Sequence, residues 1–172
     1  MTNNPYAKFV EGLDVLRCLD ETPRRIETLV RAWPREWDEH SYAPGKWTAR
    51  QVLTHLAQIE VIFAVRLRFA LAQNLSRRSL GAKAEGYVVQ TFEQDDWMTQ
   101  ESSLPALAAL ESYLALRRMN LALCRSLTTE QRATTFTHPE FGPINVDWLM
   151  AWCAGHERNH SPQIEAVARG QS

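Results

Sequence analysis

Cysteine is scarce in this 172-residue chain: Cys18, Cys124 and Cys153 are widely spaced, odd in number and form no C-x-x-C pair. That pattern gives neither a disulfide framework nor a thiolate zinc site, and it fits reduced thiols in a cytosolic protein. Long apolar runs are also missing. The stretch Val61–Leu71 is interrupted by Arg66 and Arg68, so no membrane-spanning helix is expected. The stretch Met1–Glu21 lacks the basic region and continuous apolar segment of a secretory signal. Charge of one sign is absent too. Nineteen Lys and Arg against twenty Asp and Glu leave a net charge of −1, which gives a polyanion no long-range attraction and a nucleic-acid role no support. The pairs Arg77-Arg78 and Arg117-Arg118 read as solvated helix ends or faces.

What remains is ordinary for a globular chain, with 45% hydrophobic and 23% charged residues. The length suits one domain, residues 1–172. Apolar residues recur at helical spacing, and strand-like alternation is scarce. Asn4-Pro5 reads as a helix start leading to Phe9, Leu13, Leu16 and Leu19. Thr22-Pro23 reads as a second start, or as a kink in one helix that Trp33-Pro34 stops. After the turn-rich Ser41–Trp47, Thr48 opens a strong helix to about Asn74, with Gln51 in the return position of a capping box. The weakly patterned Ser76–Gln100 reads as loop with one short helix. Ser102 or Ser103, aided by Pro105, opens the next helix through Leu107, Leu110, Leu114, Leu121 and Leu127. His138–Pro143 is turn-like, and Asn145 opens a last helix to about Arg169. Four long amphipathic helices, each burying one stripe, predict an all-α four-helix bundle with a short extra helix in the long middle connection.

Five histidines are present. His40 and His138 lie in polar loop sequence and read as solvated. The other three fall on buried stripes. His55 shares a face with Val52, Leu56, Ile59 and Phe63. His156 and His160 share one with Leu149, Trp152, Cys153, Ile164 and Val167. Side chains four apart on a helix come within about 5–6 Å, so His156 and His160 suit one ion. Each inward imidazole needs a partner, since an unpaired buried polar group costs roughly 1–3 kcal/mol. A shared divalent ion with one open position satisfies all three; a buried polar cluster without metal is the competing reading.

His156-Glu157-Arg158-Asn159-His160 also matches the H-E-x-x-H motif of zinc peptidases, with Glu157 as the would-be base. The extended form of that motif requires glycine at 163 and histidine at 166, where Gln163 and Ala166 stand. Only twelve residues follow His160, so a distant glutamate ligand is excluded as well.

Pro44-Gly45-Lys46-Trp47-Thr48, then Val52-Leu53-Thr54-His55-Leu56, and finally Gly155–Ile164 together resemble the DinB-like (DinB/YfiT) superfamily over nearly the whole chain. The resemblance implies a four-helix bundle, a homodimer, and a three-histidine site for zinc, nickel or another divalent ion. Its ligands map onto His55, His156 and His160. Pro162 departs from the expected pattern. The resemblance further implies a metal-dependent enzyme on a small molecule, either an S-transferase using a low-molecular-weight thiol or a hydrolase using water. A non-catalytic metal-binding stress protein is the alternative. Glu157 reads as a surface carboxylate by default, or as a neighbour that takes a proton. Gln51 and Gln163 sit one turn from ligands and are candidates to orient them. Cys153 and Trp152 are candidates for the pocket wall, with core packing as their default.

Overall fold

The computed structural model describes residues 4–80 and 86–170. Its long helices are α1 (Val15–Ala32), α2 (Ala49–Leu80), α4 (Ala106–Ser126) and α6 (Val146–Ala168), with short α3 (Gln94–Gln100) and α5 (Thr129–Arg132) between them. Helix starts follow the chemistry of their caps. Thr48 Oγ1 accepts from the Gln51 amide while Gln51 Oε1 accepts from the Thr48 amide, the expected capping box. Asn145 Oδ1 accepts from the Trp148 amide at the head of α6.

Other starts differ from expectation. The N-terminal segment forms only a 3₁₀ turn, Ala7–Phe9, and α1 begins after Asp14, whose side chain accepts from the Arg17 amide. Thr22-Pro23 does not begin a helix, because α1 runs through Pro23. Helix α4 has Pro105 as its N-cap and no side-chain cap from Ser102 or Ser103. The turn-like His138–Pro143 sits in a β-hairpin, β1 (Thr135–His138) with β2 (Gly142–Asn145), where Phe136 pairs with Ile144. Residues 81–85 of the predicted middle loop lie outside the described residues.

Helix α1 packs on α4 and α6, and α2 packs on the same two. The first two long helices therefore occupy opposite corners. Two apolar clusters fill the interior. One holds Leu19, Phe63, Leu121 and Met150; the other holds Ile26, Leu53, Tyr113 and Ile164. Each long helix contributes to both, and between them every one buries polar residues: Thr22, His55 and Glu60, Arg117 and Asn120, His156 and Glu157. A polar layer thus crosses the bundle at mid-height. The order of the clusters along each helix runs α1 with α6 and α2 with α4, the two pairs pointing oppositely. The chain after α2 must then return along the bundle before α4 begins, and this return brings Thr91–Asp96 beside the polar layer. Among the described residues no helix is long and apolar enough to cross a membrane.

Candidate metal centre

His55 on α2 and His156 and His160 on α6 converge, with one ligand atom from each lying within 4.8 Å of the others. All three are buried. His55 Nε2 and His156 Nε2 are 3.1 Å apart. Nitrogens bound to one ion at 2.0–2.1 Å stand about 2.9–3.4 Å from each other, so this spacing fits a shared ion. The His160 Nδ1–H donates to Gln163 Oε1 at 2.7 Å, leaving its Nε2 lone pair free. Burial, reinforced by the charge of His160, draws His55 down to about 3. Burial also holds His156 well below the ordinary histidine value and lowers His160. The three rings are neutral at neutral pH, the form that ligates metal.

A His55–His156 hydrogen bond would satisfy one Nε2 pair only. The Nδ1 atoms of both rings are buried without a partner, as is Gln58 Oε1. Gln58 sits one turn beyond His55 and donates from Nε2 to Glu101 Oε2 at 2.9 Å, which leaves its own Oε1 unengaged. Gln58 thus offers that Oε1 as the candidate acceptor for the proton His55 would carry on Nδ1 with its Nε2 on an ion. Its i+3 position was the sequence signal for this role.

Aromatic rings wall the cluster. Trp47 lies parallel to His160 with centroids 6.4 Å apart, Phe92 parallel to His55 at 6.2 Å, and Trp152 stacks on His156 at 5.2 Å. Tyr6 meets His156 edge-on at 5.0 Å. That approach requires Gly155, where a Cβ would meet the Tyr6 carbonyl oxygen at 2.5 Å. His55 and His156 open onto a cleft of about 770 Å³, bounded by the N-terminal segment, the return strand at Phe92 and the hairpin turn.

The remaining expected site residues divide. Gln163 holds His160, as its spacing implied, and Trp152 lines the cleft. Gln51 gives its Oε1 to the α2 cap rather than to a histidine. Cys153 is wholly buried and faces Glu60 and Arg117, away from the cleft wall. Glu157 is no surface carboxylate: it is 1% exposed, and its Oε2 accepts from Arg117 at 3.0 Å. Burial and the charge of Glu60 push its carboxyl well above the ordinary range. His138, expected in solvent, is buried in the cleft wall, and burial together with the nearby Arg66 draws it down to about 4. His40 is half-buried and stacks on Trp37. Pro162 does not end α6, which continues to Ala168. Tyr6, Arg66 and Phe92 enter the site without having stood out in sequence, because each reaches it from a different segment.

A helical bundle that turns three buried imidazoles toward one point beside a cleft presents a donor set that fits one metal ion. The family model for the DinB superfamily matches residues 19–164. The chain belongs to the DinB superfamily. A relative from Oceanobacillus iheyensis, named "Putative metal-dependent hydrolase OB0782", is 26% identical over 152 residues, covering 88% of this chain and 82% of the relative. One from Bacillus cereus with the name "Putative metal-dependent hydrolase" is 22% identical over the same shares. The solved structure of YfiT from Bacillus subtilis, described as a probable metal-dependent hydrolase with an unusual four-helix bundle topology, has a TM-score of 0.75 at 21% identity. It covers all of this chain, which spans 91% of that one. TT2238, a four-helix bundle protein, has a TM-score of 0.56 at 25% identity, over 88% of this chain and 96% of its own.

Proposed function

We propose that this protein is a metal-dependent hydrolase of a small molecule, with His55, His156 and His160 holding one divalent ion, zinc or nickel. The observation that carries this reading is the convergence of three buried, neutral imidazoles, two of which line a cleft of about 770 Å³, a volume suited to a small ligand. A divalent ion there supplies Lewis acidity, lowering the pKa of a bound water and polarising the bond to be cleaved. The chain's own residues do the rest. Gln163 fixes the His160 ring through its Nδ1 proton, and Gln58 is placed to do the same for His55. Trp47, Phe92 and Tyr6 cover three sides of the cluster and keep bulk water from it. Glu157 does not face the cleft, so this is not the general base of an H-E-x-x-H peptidase.

Metal analysis of the purified protein is expected to give one equivalent per chain and almost none for His156→Ala. Turnover of model esters, amides and phosphoesters is expected to vanish on chelation and return with metal. No bound metal would refute the site. Stoichiometric metal without turnover of any substrate would leave the ion a tie between α2 and α6. The same substrates offered with a panel of low-molecular-weight thiols decide between water and a thiol as nucleophile. An intrinsic thiol is not available, since Cys18, Cys124 and Cys153 are all buried and burial pushes Cys124 up to about 12.

A further inference from the structure

Arg66 is the one buried member of the charged side chains that line the cleft. It is 6% exposed, while Glu93, Asp95, Asp96 and Glu140 around the mouth are exposed. Among the described residues no carboxylate lies within ion-pair distance of its guanidinium. Among those residues its guanidinium makes one hydrogen bond, from Nη2 to the Gln90 carbonyl at 3.2 Å. The guanidinium also rests over the Trp152 ring at 6.0 Å, and Trp152 stacks in turn on His156. A buried cation normally has a counter-ion, because desolvating a charge is costly unless it is paired. Arg117, equally buried on α4, shows the usual arrangement, with carboxylates of Glu60 and Glu157 at 2.6 and 3.0 Å.

A second donor stands beside Arg66. His138 Nδ1 accepts from the Glu140 amide at 3.2 Å, so the proton of its neutral ring sits on Nε2. His138 lines the same cleft and feels the charge of Arg66. A planar fork with one donor engaged by a carbonyl and no counter-ion among the described residues, together with an N–H lining the same cleft, makes a receptor for an oxyanion. The exposed carboxylates at the mouth are screened by water and salt over about 8–10 Å. They repel an anion only weakly, so the buried Arg66 and His138, and not the exposed residues, decide where it is held.

We propose that the cleft takes a small molecule bearing a carboxylate, sulfonate or phosphate, which Arg66 and His138 bind while the adjoining part of the molecule lies over His55 and His156. This deepens the hydrolase reading and rests on it for the reaction, though not for the binding.

Calorimetric titration with benzoate, benzenesulfonate, phenyl phosphate and neutral benzamide tests it, on metal-loaded and on chelator-stripped protein. At least one anion is expected to bind tenfold or more tightly than benzamide in both forms, and the strongest of the three identifies the oxyanion. Arg66→Gln is expected to abolish that preference, and Arg66→Lys, which keeps the charge but not the fork, to retain part of it. Equal affinities for anions and benzamide in stripped protein overturn the proposal. So does an anion preference that survives in folded Arg66→Gln. Should Arg66→Gln not fold, the comparison of anions with benzamide on unaltered stripped protein decides alone. A preference seen only with metal present assigns the anion to the ion and overturns the role of Arg66, leaving the metal site intact. A preference that persists in a protein binding no metal upholds Arg66 and refutes the hydrolase.

Discussion

Adjacent residues of α6 lead into two buried polar clusters of opposite character. Glu157 enters a network in which Arg117 binds both Glu60 and Glu157, Asn120 donates to Glu60, and Arg117 also donates to the Leu19 carbonyl. His156 enters a cluster whose three rings touch one another but share one contact of hydrogen-bond length, and which leaves the Nδ1 atoms of His55 and His156 unpartnered. The first is closed to solvent and ties all four long helices together, with only Arg117 Nε and Glu157 Oε1 left without a partner in it; the second faces a cleft. A polar group buried with partners reports on architecture. One buried without them, at the floor of an opening, reports on a missing ligand.

The sharpest way to break this contrast is Arg117→Met. It leaves Glu60 without its counter-ion and Glu157 without its donor, and denaturant titration is expected to show a loss of about 3–5 kcal/mol, while whatever protein folds still binds metal. Chelation is the next largest effect. With free metal at a hundred times its dissociation constant, removal is expected to cost about 2.7 kcal/mol, and His156→Ala to show no such dependence on metal. Glu157→Gln follows. Its carboxyl already sits well above the usual range, so the amide is a near match, and a loss of about 1–3 kcal/mol is expected. Metal content and turnover per folded molecule should be unchanged, whereas loss of turnover by orders of magnitude would place Glu157 in the chemistry after all. The smallest effect is in pH. His138 titrates at about 4 when folded against an ordinary 6.5, so between those values the unfolded chain binds more protons. The stability this contributes is present above about 6.5 and lost as pH falls toward 4. Thermal melts of stripped protein should fall over that window, and less steeply in His138→Gln.

Much of this was legible in the residues. The inward turn of His55, His156 and His160 follows from the 3.6-residue period, and the Thr48–Gln51 box and the Asn145 cap mark real helix starts. The hairpin was not, because Thr135–His138 alternates over only four residues and buries two of them. Glu157 looked solvated because its partner Arg117 lies forty positions away on another helix. Arg66 registered only as a break in an apolar run, and His138 only as a polar loop residue. In each case the environment comes from a second or third segment, and local periodicity carries no record of that.

The separation of the ligands has a consequence for the order of events during folding. His156 and His160 are one helical turn apart, so a single nascent turn of α6 already presents both to an ion. His55 is 101 positions from His156, and closing so long a loop carries an entropic cost that local contacts do not. For the proposed ion, two-point capture would therefore be the early, weak event, with the third imidazole arriving only when α2 docks against α6. Tight uptake of the proposed ion would then serve as a timer for completion of the bundle, arriving with the last long-range contact rather than nucleating the first.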